Sequence, residues 1–315
     1  MIAVIFPGQG SQNVGMGRAL AEAFPICRDT FAEADAALDA PLSRIIFEGP
    51  KDQLTLTENT QPAILAVSIA AYRLLESRGL TPAFVAGHSL GEYSANVAAS
   101  TFSFADALRI VRRRGRYMQE AVPVDQGAMS AILGLDAGTV AQACDDAADG
   151  EVVSPANLNG AGQVVIAGSR DAVQRAGERA KALGARRVIA LPVSAPFHCA
   201  LMRSAEERLA PELRALAARD PRIPIVANVD AGIKRAAGAA IEALVRQVSS
   251  PVLWEAVVRR LASEGVTTYV EVGPGAVLGG LVRKIHREAR SASFGGPDDL
   301  AAVESAIQSS PINNV

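Results

Sequence analysis

The sequence predicts an α/β fold: a core built on a parallel sheet, with a small ferredoxin-like domain inserted into it. Three observations carry this. Short apolar runs alternate with longer helical patterns through the first 120 residues, as in sheets whose strands are joined by crossover helices. The stretch "FVAGHSLGEYSAN", Phe84 to Asn96, breaks from an apolar run at a glycine, shows a serine, meets a second glycine and continues as a helix. Residues 126–197 then run strand, helix, strand, strand, helix, strand, the split βαβ order. At 315 residues, 49% hydrophobic and 20% charged, the chain is long enough and apolar enough for a large core with a smaller one inserted.

Ile2 to Phe6 reads as a buried strand; its apolar run is too short, and lacks the basic leader, for a secretory signal. Gly17 to Phe24, Pro25 to Leu38 and Gln61 to Ser77 carry helical spacing, Phe84 to Gly87 reads as a strand and Phe104 to Val122 as a helix. The apolar run from Pro62 to Leu75 is interrupted by Ser68 and too short to span a bilayer. In the insert, Gly127 to Leu135, Glu151 to Asn159, Gly162 to Ser169 and Ala185 to Val193 are the strands, and Asp136 to Ala148 and Arg170 to Leu183 the helices. Beyond it, His198 to Ala218 is helical and Arg222 to Asp230 is a strand that resumes the core. Helices come next at Ala239 to Gln247 and Leu253 to Glu264, and "VTTYVEVGPGAVLGGLVRKI" gives the last strand, a tight turn and a helix. The tail from Ser291 holds a Gly-Gly-Pro break and a helical piece at Asp298 to Gln308, and its end, "SSPINNV", is expected to fray. The core is thus expected from 1–125 and 198–315, and the inserted domain from 126–197.

The formal charge of -2 excludes a global basic field of the kind that draws proteins to nucleic acid or anionic membranes. Cys27, Cys144 and Cys199 are odd in number, far apart and without C-x-x-C spacing, which points to a reducing compartment and away from a disulfide or zinc framework. Three histidines, His88, His198 and His286, are too few for a His-rich metal site. A cytoplasmic protein is expected, and a monomer, since no coiled-coil heptads stand out.

"GHSLG" fits G-x-S-x-G with Gly87, Ser89 and Gly91 in strand-to-helix context, the elbow of an α/β-hydrolase-like core. The glycines allow a sharp turn that holds the Ser89 hydroxyl free at a helix N-terminus, where unpaired N–H groups favour developing negative charge. The N–H of Leu90 is the natural oxyanion donor there. Two assignments are open for Ser89: a nucleophile, or a helix N-cap. A serine nucleophile needs a base. His286 lies in the charged "VRKIHRE", and His88 neighbours Ser89 in a turn whose adjacent side chains seldom face each other. His198 comes after "LPVSAPF" in a Pro-containing loop before a helix, and is the leading base on position.

Six motifs occur in order: "FPGQGSQ" (Phe6 to Gln12), "GHSLGE" (Gly87 to Glu92), "RGRYMQEAVP" (Arg114 to Pro123), "SPANLN" (Ser154 to Asn159), "SAPFHCALM" (Ser194 to Met202) and "EVGPG" (Glu271 to Gly275). Together they resemble the malonyl-CoA:acyl carrier protein transacylases of fatty acid synthesis, over nearly the whole chain. The resemblance implies that Ser89 becomes malonylated, that His198 takes its proton and later activates the incoming thiol, and that the backbone carbonyl of Gln247 orients that histidine. It implies an oxyanion hole from the N–H groups of Leu90 and Gln9; Gly8 and Gly10 suit a loop that exposes an amide, though a plain glycine turn has the same composition. Arg109, Arg112, Arg113, Arg114 and Arg116 form a charge run of the kind usually found on a solvated helix face. The residues alone single none out; the resemblance picks Arg114 as the fork that holds the malonyl carboxylate. Met118 and Asn157, from the quoted motifs, join the substrate-binding set. Phe197, beside the base, would exclude a methyl branch on the acyl group; packing at the domain interface is the other reading of it.

For partners, the resemblance implies malonyl-CoA as substrate, with no separate cofactor or metal, and an acidic acyl carrier protein. Arg186, Arg187, Arg283, Lys284 and Arg287 are the candidate docking charges.

Overall fold

The computed structural model describes residues 1–123, 125–193 and 195–308. Two sheets organise it. The larger has six strands: β1 (Ile2–Phe6), β2 (Phe84–Gly87), then, after the second sheet, β7 (Ile225–Val226), β8 (Ile233–Lys234), β9 (Thr268–Val272) and β10 (Arg290–Phe294), in the order β10-β9-β1-β2-β7-β8. All neighbours are parallel except the β7–β8 hairpin. The smaller is antiparallel, β4-β5-β3-β6, from β3 (Gly127–Leu133), β4 (Val153–Gly160), β5 (Gln163–Ser169) and β6 (Arg187–Ala190).

β1 shows why this sheet must be covered twice. Its side chains alternate, so Val4 and Phe6 enter one core and Ala3 and Ile5 the other. The first core is filled by the helix Thr57–Ser77, most of whose residues are buried, with Phe104–Glu120 packed beside it. The second is closed by the helices Trp254–Ser263 and Val277–Ile285 through Trp254, Val258, Leu261 and Leu281. A third core, with Ile132, Val164 and Ile166 against the helices Ala137–Ala147 and Arg170–Ala182, underlies the smaller sheet.

Several elements differ from the sequence expectation. The helix expected from Gln61 begins at Thr57 and carries Pro62 inside it: a proline early in a helix forfeits one backbone donor and fixes a helical φ, so it does not have to mark the start. β10 lies in the tail expected to hold only a break and a helix. As an edge strand reading "RSASF", mostly half-exposed, it shows no apolar run to detect. The strand expected over Arg222 to Asp230 pairs only at Ile225–Val226, and that over Ala185 to Val193 only at Arg187–Ala190. The short helices Leu42–Glu48 and Lys51–Thr55 had no counterpart in the pattern. The expected fraying of "SSPINNV" lies outside the described residues. Among the described residues no helix is long and apolar enough to cross a membrane.

Candidate active site

Parallel strands place their C-terminal ends on one edge, and here β1 and β2 end in register, Phe6 beside Gly87. The chain leaves β2 so tightly that a Cβ on Gly91 would lie 2.1 Å from the Phe6 carbonyl oxygen. Ser89, at the apex, is held at φ 52°, a left-handed conformation that L-residues avoid unless their surroundings enforce it. Asn228, just beyond β7, supplies the enforcement: its Oδ1 accepts from the Ser89 N–H at 2.7 Å and its Nδ2 donates to the Gly87 carbonyl at 2.7 Å.

The N-cap of the next helix, Gly91–Ala98, is Leu90, with no side-chain capping bond. The Ser89 hydroxyl therefore does not serve as a cap. It faces His198 Nε2 at 2.7 Å and accepts from an Arg114 guanidinium nitrogen at 3.1 Å. His198 is itself at φ 62° and 4% exposed, and its Nδ1 stands 2.9 Å from the Gln247 carbonyl oxygen. A carbonyl can only accept, so Nδ1 carries the proton and Nε2 is left free to receive one from Ser89. Burial, reinforced by the Arg114 charge, pushes the His198 pKa down to about 3, which keeps the imidazole neutral.

Of the arginine run, Arg114 alone turns inward. Arg113 pairs with Glu212 at 2.6 Å, Arg116 with Glu58 at 3.1 Å and Arg109 with Asp106 at 3.3 Å, while Arg112 reaches the Leu38 carbonyl. Arg114 is 1% exposed, and its bonds go to neutral acceptors: Gln61 Oε1 at 2.8 Å, Gln247 Oε1 at 3.0 Å and Ser89. Its Nε has no partner among the described residues, and the Tyr93 ring lies 5.3 Å from the guanidinium carbon. Among the described residues no carboxylate lies in contact with this buried cation, so its charge is met only by neutral acceptors.

The β1 loop rests on the elbow, since a Cβ on Gly8 would lie 2.4 Å from the His88 carbonyl oxygen. Neither the Gln9 nor the Leu90 N–H donates to another described residue, so both amides are open for an oxyanion. His88 turns away from Ser89: its Nε2 meets Asn159 Oδ1 on β4 at 2.9 Å and its ring lies against Trp254. Burial holds its pKa below the usual imidazole range. This bond and the pairing of β4 with Val252 tie the smaller sheet to the site.

Met118 is buried, with Sδ 3.9 Å from Gln61 Nε2, so it backs the residue that holds Arg114. Phe197 is buried beside His198 in the sequence, within the first core. Asn157 sits on β4 with Oδ1 buried and unpartnered among the described residues. Ser194, first in its motif, lies outside the described residues. His286, expected in a solvated helix, instead ends its helix with Nδ1 3.2 Å from the Tyr269 hydroxyl, a pairing that neighbouring charges in the sequence conceal. Arg186 and Arg187 are exposed at the start of β6, and Arg283, Lys284 and Arg287 are exposed at and beyond the end of the helix Val277–Ile285. The two groups border one region: Arg186 packs at Gly134, and Ile285 at Gly160 in the β4–β5 turn.

Sequence reasoning missed Gln61, Glu92, Asn159 and Asn228. Glu92 stood inside a quoted motif, and its burial at 1% exposure, on a helix of eight residues, was the missing signal.

An elbow serine, a neutral imidazole in contact with it and a buried guanidinium at the same oxygen form an arrangement that suits acyl-group transfer. The acyl transferase domain family matches residues 4–299. The malonyl CoA-acyl carrier protein transacylase of Escherichia coli strain K12 is 50% identical over 301 residues, 95% of this chain and 97% of that one. A solved acyl carrier protein S-malonyltransferase from Vibrio cholerae superposes with a TM-score of 0.94 at 47% identity, covering 96% of this chain and 99% of that one. A further solved neighbour, a malonyl-transacylase in complex with its type II PKS acyl-carrier protein, gives a TM-score of 0.94 at 45% identity, covering 98% and 99%. The chain belongs to the malonyl CoA-acyl carrier protein transacylases of the acyl transferase family.

Proposed function

We propose that the protein moves malonyl from malonyl-CoA to the phosphopantetheine thiol of an acyl carrier protein through a malonyl-Ser89 ester, supplying fatty acid synthesis in the cytoplasm. The observation that carries this is Arg114, a buried guanidinium without a carboxylate partner, within hydrogen-bond distance of the serine oxygen that would hold the acyl group. A malonyl carboxylate completes its fork with two charge-assisted bonds; an acetyl group leaves the buried charge uncompensated.

Ser89 gives its proton to His198 Nε2 as its oxygen attacks the thioester carbonyl, and the oxyanion is received by the Gln9 and Leu90 amides. Collapse expels the coenzyme A thiolate, which takes the proton from His198. The carrier thiol then gives its proton to His198, attacks the ester carbonyl, and Ser89 leaves as the hydroxyl when the proton returns. The nucleophile, base and clamp all come from the chain, so no cofactor is called for. The cleft between the core, 1–125 and 198–315, and the inserted unit, 126–197, takes the pantetheine arm, with Asn157 presenting a buried acceptor and Met118 and Phe197 shaping the acyl pocket. The exposed cations Arg186, Arg187, Arg283, Lys284 and Arg287 meet the acidic carrier.

The test is intact mass after brief mixing with malonyl-CoA or acetyl-CoA. A malonyl increment is expected that is absent from Ser89→Ala and that discharges onto phosphopantetheinylated carrier protein. Free malonate without transfer would show a hydrolase instead.

A further inference from the structure

A carboxyl group bonded to two of the site's supporting residues belongs to a residue that touches no reacting atom. Glu92 is buried in the first turn of the helix after the elbow. Its Oε2 accepts from Gln247 Nε2 at 2.7 Å and from the Asn228 backbone N–H at 2.9 Å. Both partners hold the site. Asn228 clamps the elbow at Ser89 N and Gly87 O. Gln247 uses its carbonyl for His198, Nε2 for the Ser89 carbonyl at 3.0 Å and Oε1 for Arg114 at 3.0 Å.

The Gln247 amide thus lies between a carboxylate and a guanidinium, NH2 end to Glu92 and oxygen end to Arg114. Reversed, it would put oxygen against oxygen and N–H against N–H. The Arg114 guanidinium orders the oxygen end, and a charged acceptor at Glu92 orders the NH2 end with comparable strength, because charge-assisted bonds are roughly twice as strong as neutral ones.

Resting on the malonyl-transfer reading above, we propose that Glu92 is a positioning residue: its ionised carboxylate fixes the Gln247 amide, and through it aligns the Arg114 fork that selects an acyl group bearing a free carboxylate. Discrimination between malonyl and acetyl is then set by a residue in contact with neither.

Geometry supplies the proposal, and titration gives it a readout. Burial pushes the Glu92 pKa up to about 7, with the Asn228 N–H and the Gln247 amide opposing. Asp230 pushes the same way as burial and Lys234 against it, and Tyr93 and Arg114 also act on it. On the helices Ala237–Gln247 and Phe104–Glu120 packed against its own, Glu242 and Arg246 pair with Arg214 and Asp230, Arg109 with Asp106, Arg113 with Glu212, Arg116 with Glu58 and Glu120 with Arg208. β1 and β2 bring only apolar side chains, and on the helix Thr57–Ser77 Glu58, Arg73 and Glu76 are paired to Arg116, Glu33 and Tyr72. His198, already neutral down to about 3, adds no titration near neutrality. Alignment is therefore present above about pH 7 and fades below it.

The test measures initial malonyl and acetyl loading of Ser89 by rapid-quench intact mass, between about pH 6 and about pH 8.5, in the wild type, Glu92→Gln, Gln247→Leu and the double variant. Expected is a malonyl-to-acetyl ratio that falls as pH drops through about 7 in the wild type. In Glu92→Gln it should be lower by roughly 10-fold at high pH and flat with pH, with no further loss on adding Gln247→Leu. Because Glu92→Gln removes a buried charge, its melting temperature at about pH 8 should be no lower than wild type, whereas a merely structural Glu92 would lower melting and slow both acyl groups equally. Loading by the wild type with an unchanged ratio in Glu92→Gln would overturn the proposal and leave the transferase reading standing; no loading by the wild type would overturn that reading itself. Should Glu92→Gln not fold, the wild-type pH profile decides: a ratio constant across pH overturns the proposal.

Discussion

The two faces of the helix Phe104–Glu120 carry the same side chain under opposite conditions. On the outer face Arg113 meets Glu212 at 2.6 Å with more than half of its side chain in solvent. One residue on, Arg114 is 1% exposed and is held by amides and a hydroxyl. In water an ion pair gains little, because solvent stabilises each charge almost as well as the partner does. Inside, a guanidinium with no carboxylate in direct contact costs stability, and under the function proposed above the substrate carboxylate is the anion that would offset it. Of the five arginines, the informative one is Arg114, which is buried and has no ion pair among the described residues.

Replacing each arginine by methionine puts this contrast under the most severe test. Arg114→Met should reduce malonyl loading of Ser89 by about 10²- to 10³-fold while raising the melting temperature, since a buried unpaired charge gives way to apolar packing. Arg113→Met should leave both within about twofold and a degree or so. Equal losses in the two variants, read by intact-mass kinetics and thermal unfolding, would remove the distinction.

A second, smaller effect separates interior from surface by pH. His198 titrates near 6.5 when unfolded and is pushed down to about 3 in the fold, so the folded state binds fewer protons between those values. Its contribution is full above about pH 6.5 and declines as pH falls towards 3. The His198 part of this, read in urea unfolding as the difference between wild type and His198→Gln, should be a loss of roughly 2 kcal/mol between about pH 6.5 and pH 5; Glu92, raised to about 7, works in the opposite direction over the same range and is common to both proteins. The exposed pair of Arg214 with Glu242 at 2.7 Å, whose guanidinium holds the carboxyl below its ordinary range, should contribute nothing to the slope.

Legibility in the sequence divides along the same line. The elbow could be read because Gly87, Ser89 and Gly91 are fixed by local sterics, and local sterics are written in adjacent residues. β1 and β2 were legible because burial on both faces demands continuous apolar runs. β10, half-exposed at the edge, and the two-residue β8 make no such demand, while β7, buried at both residues, was legible but pairs over a shorter span than expected. Asn228 and Glu92 were invisible for a different reason: their importance lies in bonds spanning more than a hundred residues, to Ser89 and from Asn228, and nothing in the stretch around either residue encodes the partner. Arg114 fell between these cases, picked by family resemblance out of five arginines that composition could not rank.

The smallest predicted effect concerns charges that have no internal partner. Arg186 at the start of β6 and Lys284 near the end of the helix Val277–Ile285 are exposed, and neither forms an ion pair among the described residues. Unlike Arg114 they are solvated, so their lack of a counter-ion costs the fold almost nothing, and long-range attraction is what they can offer. Reversing both, Arg186→Glu with Lys284→Glu, should leave malonyl loading from coenzyme A unchanged and slow discharge onto the acidic carrier protein by several-fold at low salt, with the deficit shrinking as salt rises. A deficit that ignores salt, or one that appears equally in the loading step, would place these side chains outside carrier docking and confine the functional cations of the molecule to its interior.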